Sequence, residues 1–126
     1  MDLKTALYEL YLEGKQLYNI QNEPGVELHT DEENAKNIFG RTAYYDPQNQ
    51  LIVLYVSGRH PKDILRSFAH ELIHHIQNER GDLDMSTVGN DPQYAQNDTH
   101  LRKMEMEAYL KGNMMFRDWE DKTKNK

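Results

Sequence analysis

The chain has no cysteine, which excludes a disulfide framework, a thiolate zinc finger, a cysteine nucleophile and an iron–sulfur cluster. Any metal has to be held by histidine and carboxylate side chains. Glycine and proline are scarce, seven and four of 126 residues, and there is no internal repeat or biased tract of the kind that marks fibrous or disordered chains. No apolar run approaches the roughly 18 residues of a membrane-spanning helix. The N-terminus, MDLKTALYELYLEG, has an acid at position 2 where a signal peptide needs a basic start and an unbroken apolar stretch. Positive charge is in deficit: 15 Lys and Arg against 21 Asp and Glu give −6, so neither nucleic acid nor an anionic membrane is an expected partner. The expectation is a soluble, intracellular, cytoplasmic protein, with an oligomeric state the sequence does not specify.

What is present, 37% hydrophobic and 29% charged residues in 126, suits a single α+β domain over residues 1–126 with a modest core. From Leu3 to Tyr18 apolar residues recur at three and four, the period of one helical face, and Asn22-Glu23-Pro24-Gly25 closes that helix. Thr30 and Glu33 have capping-box spacing before Ala35 and Ile38, which predicts a short helix ended by Gly40. Arg41–Tyr45 and Leu51–Val56 flank the turn-rich Asp46-Pro47-Gln48-Asn49, so a β-hairpin is expected, its apolar second strand LIVLYV buried. That strand is also expected to border the functional cleft, where an extended peptide could add to its edge. A third helix runs from Pro61 to the stop at Gly81. Residues 81–98 have turn formers and no period, and are expected to form a long loop or lid. Asp98 or Thr99 then caps a last helix to about Trp119, leaving 120–126 as a polar tail.

The third helix contains His70-Glu71-Leu72-Ile73-His74, an HExxH pattern. Two imidazoles four residues apart on a helix point the same way and can share one cation. Glu71 lies about 100° round from His70, within reach of a water at that cation, where a general base would stand. A pentapeptide can arise by chance, so its setting decides. Ile64, Leu65, Phe68, Ala69, Leu72, Ile73 and Ile76 fill one continuous arc, and His70 and His74 fall opposite it. The helix therefore packs with one face and offers the two histidines on the other. His75 falls just inside the apolar arc and reads as a hydrogen-bonded packing residue.

Two histidines need a third protein ligand to make a zinc site. Gln77 and Arg80 stand where the longer HExxHxxGxxH pattern would have its glycine and third histidine. The candidates are Asp98, His100, Glu105 and Glu107. On the last helix Leu101, Met104, Ala108, Gly112, Met115 and Trp119 make one stripe, with Glu105 at its edge and Glu107 about 200° away. The small residues Ala108 and Gly112 would let this helix come close to a neighbour and carry Glu105 to the histidines.

These residues, together with Glu105-Met106-Glu107-Ala108-Tyr109, make the chain resemble a zincin metallopeptidase of minimal gluzincin type, in which HExxH is completed by a downstream Glu. HELIHHIQN followed by ExEAY is also similar to short HExxH proteins encoded by phages and other viruses. The resemblance covers roughly residues 50–119. In that family the ligand Glu is often followed three residues later by Ala, which favours Glu105 over Glu107. Relatives that brace a ligand histidine often have Asp or Asn at the next position, where this chain has Tyr109. The resemblance implies a zincin-like domain, with a hairpin or small sheet packed on the HExxH helix and a C-terminal ligand helix. It also implies Zn²⁺ held by His70, His74 and Glu105, and hydrolysis of a peptide or protein substrate with Glu71 as general base. An oxyanion-stabilising residue is expected among Tyr94, His100, Arg102 and Tyr109. The alternative is a zinc-stabilised or catalytically inactive binding protein of a phage or virus.

Overall fold

LIVLYV becomes the middle of a sheet rather than one side of a two-stranded hairpin. The computed structural model describes residues 2–37, 40–83 and 99–124. Its elements are α1 (Leu3–Tyr18), β1 (Gly25–His29), α2 (Glu32–Lys36), β2 (Ala43–Asp46), β3 (Leu51–Tyr55), α3 (Pro61–Glu79) and α4 (Thr99–Lys124). The three strands form a mixed sheet in the order β1-β3-β2. β2 and β3 make the expected antiparallel hairpin, with Tyr44 opposite Val53, while β1 lies parallel to β3, with Glu27 beside Val53.

This corrects one expectation: β3 has both edges paired, so it cannot accept an extended peptide. Gly25–His29, to which the sequence pattern assigns no element, is a strand. Among the described residues, the sheet edge that borders the HExxH helix without a further strand is that of β2. Tyr55 N–H donates to Thr42 O, which makes that a hydrogen-bonded pair in the ladder. By alternation, the backbone polar groups of Ala43 and Tyr45 point away from β3, towards the outer edge.

Helix α3 packs as its apolar arc dictates: Ile64, Leu65, Phe68, Ala69, Leu72, Ile73 and Ile76 are all buried in one cluster with Leu10 of α1, Ile52 and Leu54 of β3, and Ala108 and Met115 of α4. A fully buried Leu, Ile or Phe stabilises by about 1.5–3 kcal/mol, so this face fixes how the helix sits on the sheet. Pro61 opens α3, the His60 ring accepts from Lys62 N–H, and Gly81, at φ +81°, ends it in a conformation that favours glycine. Arg59 ties the start of α3 to the hairpin, donating to Thr42 O, Tyr55 O, Asp63 O and Ser67 Oγ.

At its other end α1 stops at Asn19, which takes the left-handed conformation, three residues before the expected Asn22–Gly25 terminator. The short α2 is capped by Asp31, whose side chain accepts from Asn34 N–H, and Ile38 lies outside the described residues. α4 does not end near Trp119. It continues to Lys124 because the charged residues beyond it have partners: Lys122 Nζ lies 2.8 Å from the buried Glu13 of α1, and Glu120 pairs with Lys62 of α3 at 3.0 Å. Of the expected loop 81–98, positions 84–98 lie outside the described residues, and with them Tyr94 and Asp98. No helix among the described residues is long and apolar enough to cross a membrane.

Candidate metal centre

His70 and His74 stand one turn apart on α3 with ring centroids 4.9 Å apart. Their common orientation comes from the helix, and their freedom from the core comes from the arc opposite, which takes the packing. Each of His70, Glu71 and His74 offers one ligand atom, and these atoms lie within 4.8 Å of one another. α4 adds a carboxylate: Glu105 Oε1 is 2.7 Å from His74 Nε2 and Oε2 is 3.5 Å from His70 Nε2.

The approach of α4 rests on small residues. An added Cβ at Gly112 would lie 3.1 Å from both the N and the Cα of His70, backbone atoms that cannot move aside as a flexible side chain would. Ala108 is fully buried one turn earlier. The two residues bring the α4 backbone against α3 where the histidines are, as the stripe of small residues predicts.

Glu107 faces elsewhere. Its carboxylate accepts from Arg80 Nη2 at 2.8 Å, Lys111 Nζ at 2.9 Å and Gln77 Nε2 at 2.8 Å. The Arg80 bond, aided by Gln77 and Lys111, holds its pKa at about 2 against partial burial. Glu105 is likewise held well below the usual carboxylate range, by hydrogen bonds from His70 and His74 that outweigh desolvation. Burial opposes charge on His74, but its bond to Glu105, the nearby Glu71 carboxylate and its bond to Gln77 together raise its pKa.

Glu71 is in a different condition. It is 8% exposed, and its Oε2 is buried without a hydrogen-bond partner among the described residues. Burial pushes its carboxyl up, and the neighbouring His74 and His70 only partly offset this. A buried carboxylate oxygen left unsatisfied costs about 1–3 kcal/mol or more. Unsatisfied groups of this kind mark places where a ligand, ion or water belongs.

The residues fit a divalent cation of the zinc type. Glu105 presents one carboxylate oxygen to each imidazole, Oε1 to His74 and Oε2 to His70, beside the His70, Glu71 and His74 ligand atoms that lie within 4.8 Å of one another. An all nitrogen and oxygen donor set suits zinc, whose open sites use histidine and carboxylate. Beside these residues opens a cleft of about 660 Å³, bordered by Thr42 and Ala43 of the β2 edge, His70, Glu71, Glu105 and Tyr109.

Of the expected oxyanion stabilisers, Tyr109 reaches this cleft, its exposed ring set edge-on to His70 at 5.7 Å between centroids. His100 instead bonds Asp82 O at 2.7 Å, and Arg102 is exposed on the first turn of α4, not among the residues lining the cleft. His75 is the packing residue its position implies: fully buried, with Nδ1 2.7 Å from Tyr45 Oη and Nε2 2.6 Å from Asn22 O. Two residues that the pattern did not single out hold the site together. Arg59 fixes the β2 edge against α3, and Gln77 bridges His74 to α4. A polar side chain at i+3 from a ligand histidine, bordering the apolar arc, is the signal that marks Gln77.

Comparison of the chain with family models, with curated proteins and with solved structures returns no match.

Proposed function

We propose that the protein is a zinc-dependent peptidase of minimal, gluzincin-like zincin architecture, with His70, His74 and Glu105 as metal ligands and Glu71 as general base. One observation carries this reading. Two imidazoles and a carboxylate converge from two helices, and beside them a second carboxylate, Glu71, is buried with an unpartnered oxygen. The chemistry that zinc supplies when bound is Lewis acidity, which brings the pKa of water towards about 7 and polarises a carbonyl. Glu71 takes the proton of the attacking water and later returns it to the leaving nitrogen. Burial, which pushes this carboxyl up, makes it the more ready proton acceptor.

The mixed sheet, the HExxH helix and the proposed ligand helix share one core, which supports this reading. Substrate is proposed to lie along the outer edge of β2, pairing with the outward backbone groups of Ala43, which borders the cleft. Tyr109, which stands beside His70 and borders the cleft, is proposed to donate to a developing oxyanion.

The second reading is a zinc-stabilised binding module in which Glu71 closes the site as a fourth ligand, supported by its place in the same cluster. The experiment that separates the two is metal analysis of the purified protein with proteolysis of a mixed peptide library, before and after chelation. The peptidase reading predicts one zinc per chain and cleavage that stops on chelation and returns with zinc. Full zinc with no cleavage of any library member would favour the module.

A further inference from the structure

We infer that Gln77 is the positioning residue of the metal centre: it sets which nitrogen of His74 faces the metal and anchors the stretch of α4 that carries Glu105. This rests on the reading of His70, His74 and Glu105 as metal ligands.

Gln77 is fully buried three residues after His74 on the same helix. Its Oε1 lies 2.8 Å from His74 Nδ1, and its Nε2 donates to Met104 O at 2.9 Å and to Glu107 Oε1 at 2.8 Å. The last two are acceptors only, one a backbone carbonyl and the other a carboxylate held ionised by Arg80 and Lys111. Turning the amide round would set its oxygen against both of them. Gln77 therefore has one orientation, with its carbonyl towards His74, and an imidazole nitrogen facing a carbonyl has to donate. Nδ1 carries the hydrogen, and Nε2, 2.7 Å from Glu105, is the atom left for a metal.

The same amide holds α4 on both sides of the third ligand, one residue before Glu105 and two after it. Where a ligand histidine would be braced from the position after ExxA, this chain has the exposed Tyr109. Here the brace comes from α3 itself and is tied through Glu107 to a charged pair on the far side. Losing such a partner typically weakens metal binding by about 10–100-fold.

The test uses the full chain as wild type, Gln77→Met and Gln77→Glu, each checked for folding by circular dichroism. Two readouts are taken. The first is the His74 Nδ1–H resonance in ¹⁵N-edited NMR, without metal and with zinc. The second is zinc affinity by competition, with the visible spectrum of the Co²⁺ form. Wild type is expected to show a slowly exchanging Nδ1–H in both states. Gln77→Met should lose that protection, bind zinc about 10–100-fold more weakly and shift the cobalt spectrum. Gln77→Glu keeps the acceptor for Nδ1–H but sets an oxygen against Met104 O and Glu107, so it should recover that resonance without recovering the affinity; if Gln77→Met does not fold, the wild-type resonance and this variant decide.

The inference is overturned by an unprotonated Nδ1 in wild type, by a folded Gln77→Met within twofold of wild type in zinc affinity with an unchanged cobalt spectrum, or by loss of the Nδ1–H resonance from a folded Gln77→Glu. A protected Nδ1–H in a wild type that takes up neither zinc nor cobalt would support the hold on His74 and overturn the metal site it serves.

Discussion

Glu105 and Glu107 are two residues apart on one helix yet belong to different networks, because α4 turns one carboxylate to the histidines and the other to Arg80, Lys111 and Gln77. Glu105→Ala should therefore cut zinc affinity by well over 100-fold, since only two ligands remain. Glu107→Ala acts through Gln77 and should cost about 10-fold, the low end for an outer partner. Competition titration of both variants checks this, and equal losses would contradict the assignment. That His70 and His74 share one face of α3 with Glu71 beside them was legible from spacing and the apolar arc alone. That α4 comes close to α3 and sets Glu105 beside the histidines was legible from the stripe of small residues. What spacing could not show is that Gln77 lies between a ligand and Glu107, because that contact joins residues 30 apart in sequence across two helices.

Among the elements, α3 and the β2–β3 hairpin follow from local pattern, whereas β1 does not. Its sequence, GVELH, has only two apolar residues, Val26 and Leu28, an alternation too short to mark a strand, and in the structure Val26 is exposed and Leu28 partly buried. Its pairing is parallel and so has no turn signature. That strand takes one edge of β3 and leaves β2 as the edge at the cleft, which moves the proposed substrate track from LIVLYV to Ala43. Proline is tolerated on a strand edge where its nitrogen faces outward, so Ala43→Pro should keep the fold and the zinc. Loss of one main-chain hydrogen bond, worth about 0.5–1.5 kcal/mol, should raise KM about 2- to 10-fold with kcat little changed; an unchanged KM would remove the β2 edge from substrate binding. The contact of α4 with α3 gives a second test. Gly112→Ala forces its Cβ against the His70 backbone, and the separation of the helices should weaken zinc binding at least 10-fold, by competition titration, even though alanine favours helix by about 1 kcal/mol over glycine. Composition does not reveal the end of α4, since EDKTK is polar throughout and its ion pairs to α1 and α3 join residues far apart in sequence.

For the whole molecule, a metal that joins α3 to α4 binds the native state and should stabilise it. At zinc 100 times its Kd the gain is about 2.7 kcal/mol, or about 8–10 °C in Tm for a chain of this length. Calorimetry should show that rise in wild type, its reversal by chelation and its absence in His70→Ala. A small core of 18 buried hydrophobic residues among those described gives this linkage weight, yet stabilisation alone would suit a binding module as well as an enzyme. Glu71 separates them. Glu71→Gln keeps size and shape and removes the base, and general base catalysis is worth about 10²–10⁴-fold. The most direct measurement is peptide hydrolysis by zinc-loaded wild type and zinc-loaded Glu71→Gln, with metal content determined on the same samples. One zinc per chain is expected in both, with a loss of at least 100-fold in kcat in the variant; equal rates at equal zinc, or loss of the zinc itself from Glu71→Gln, would rule out Glu71 as the general base.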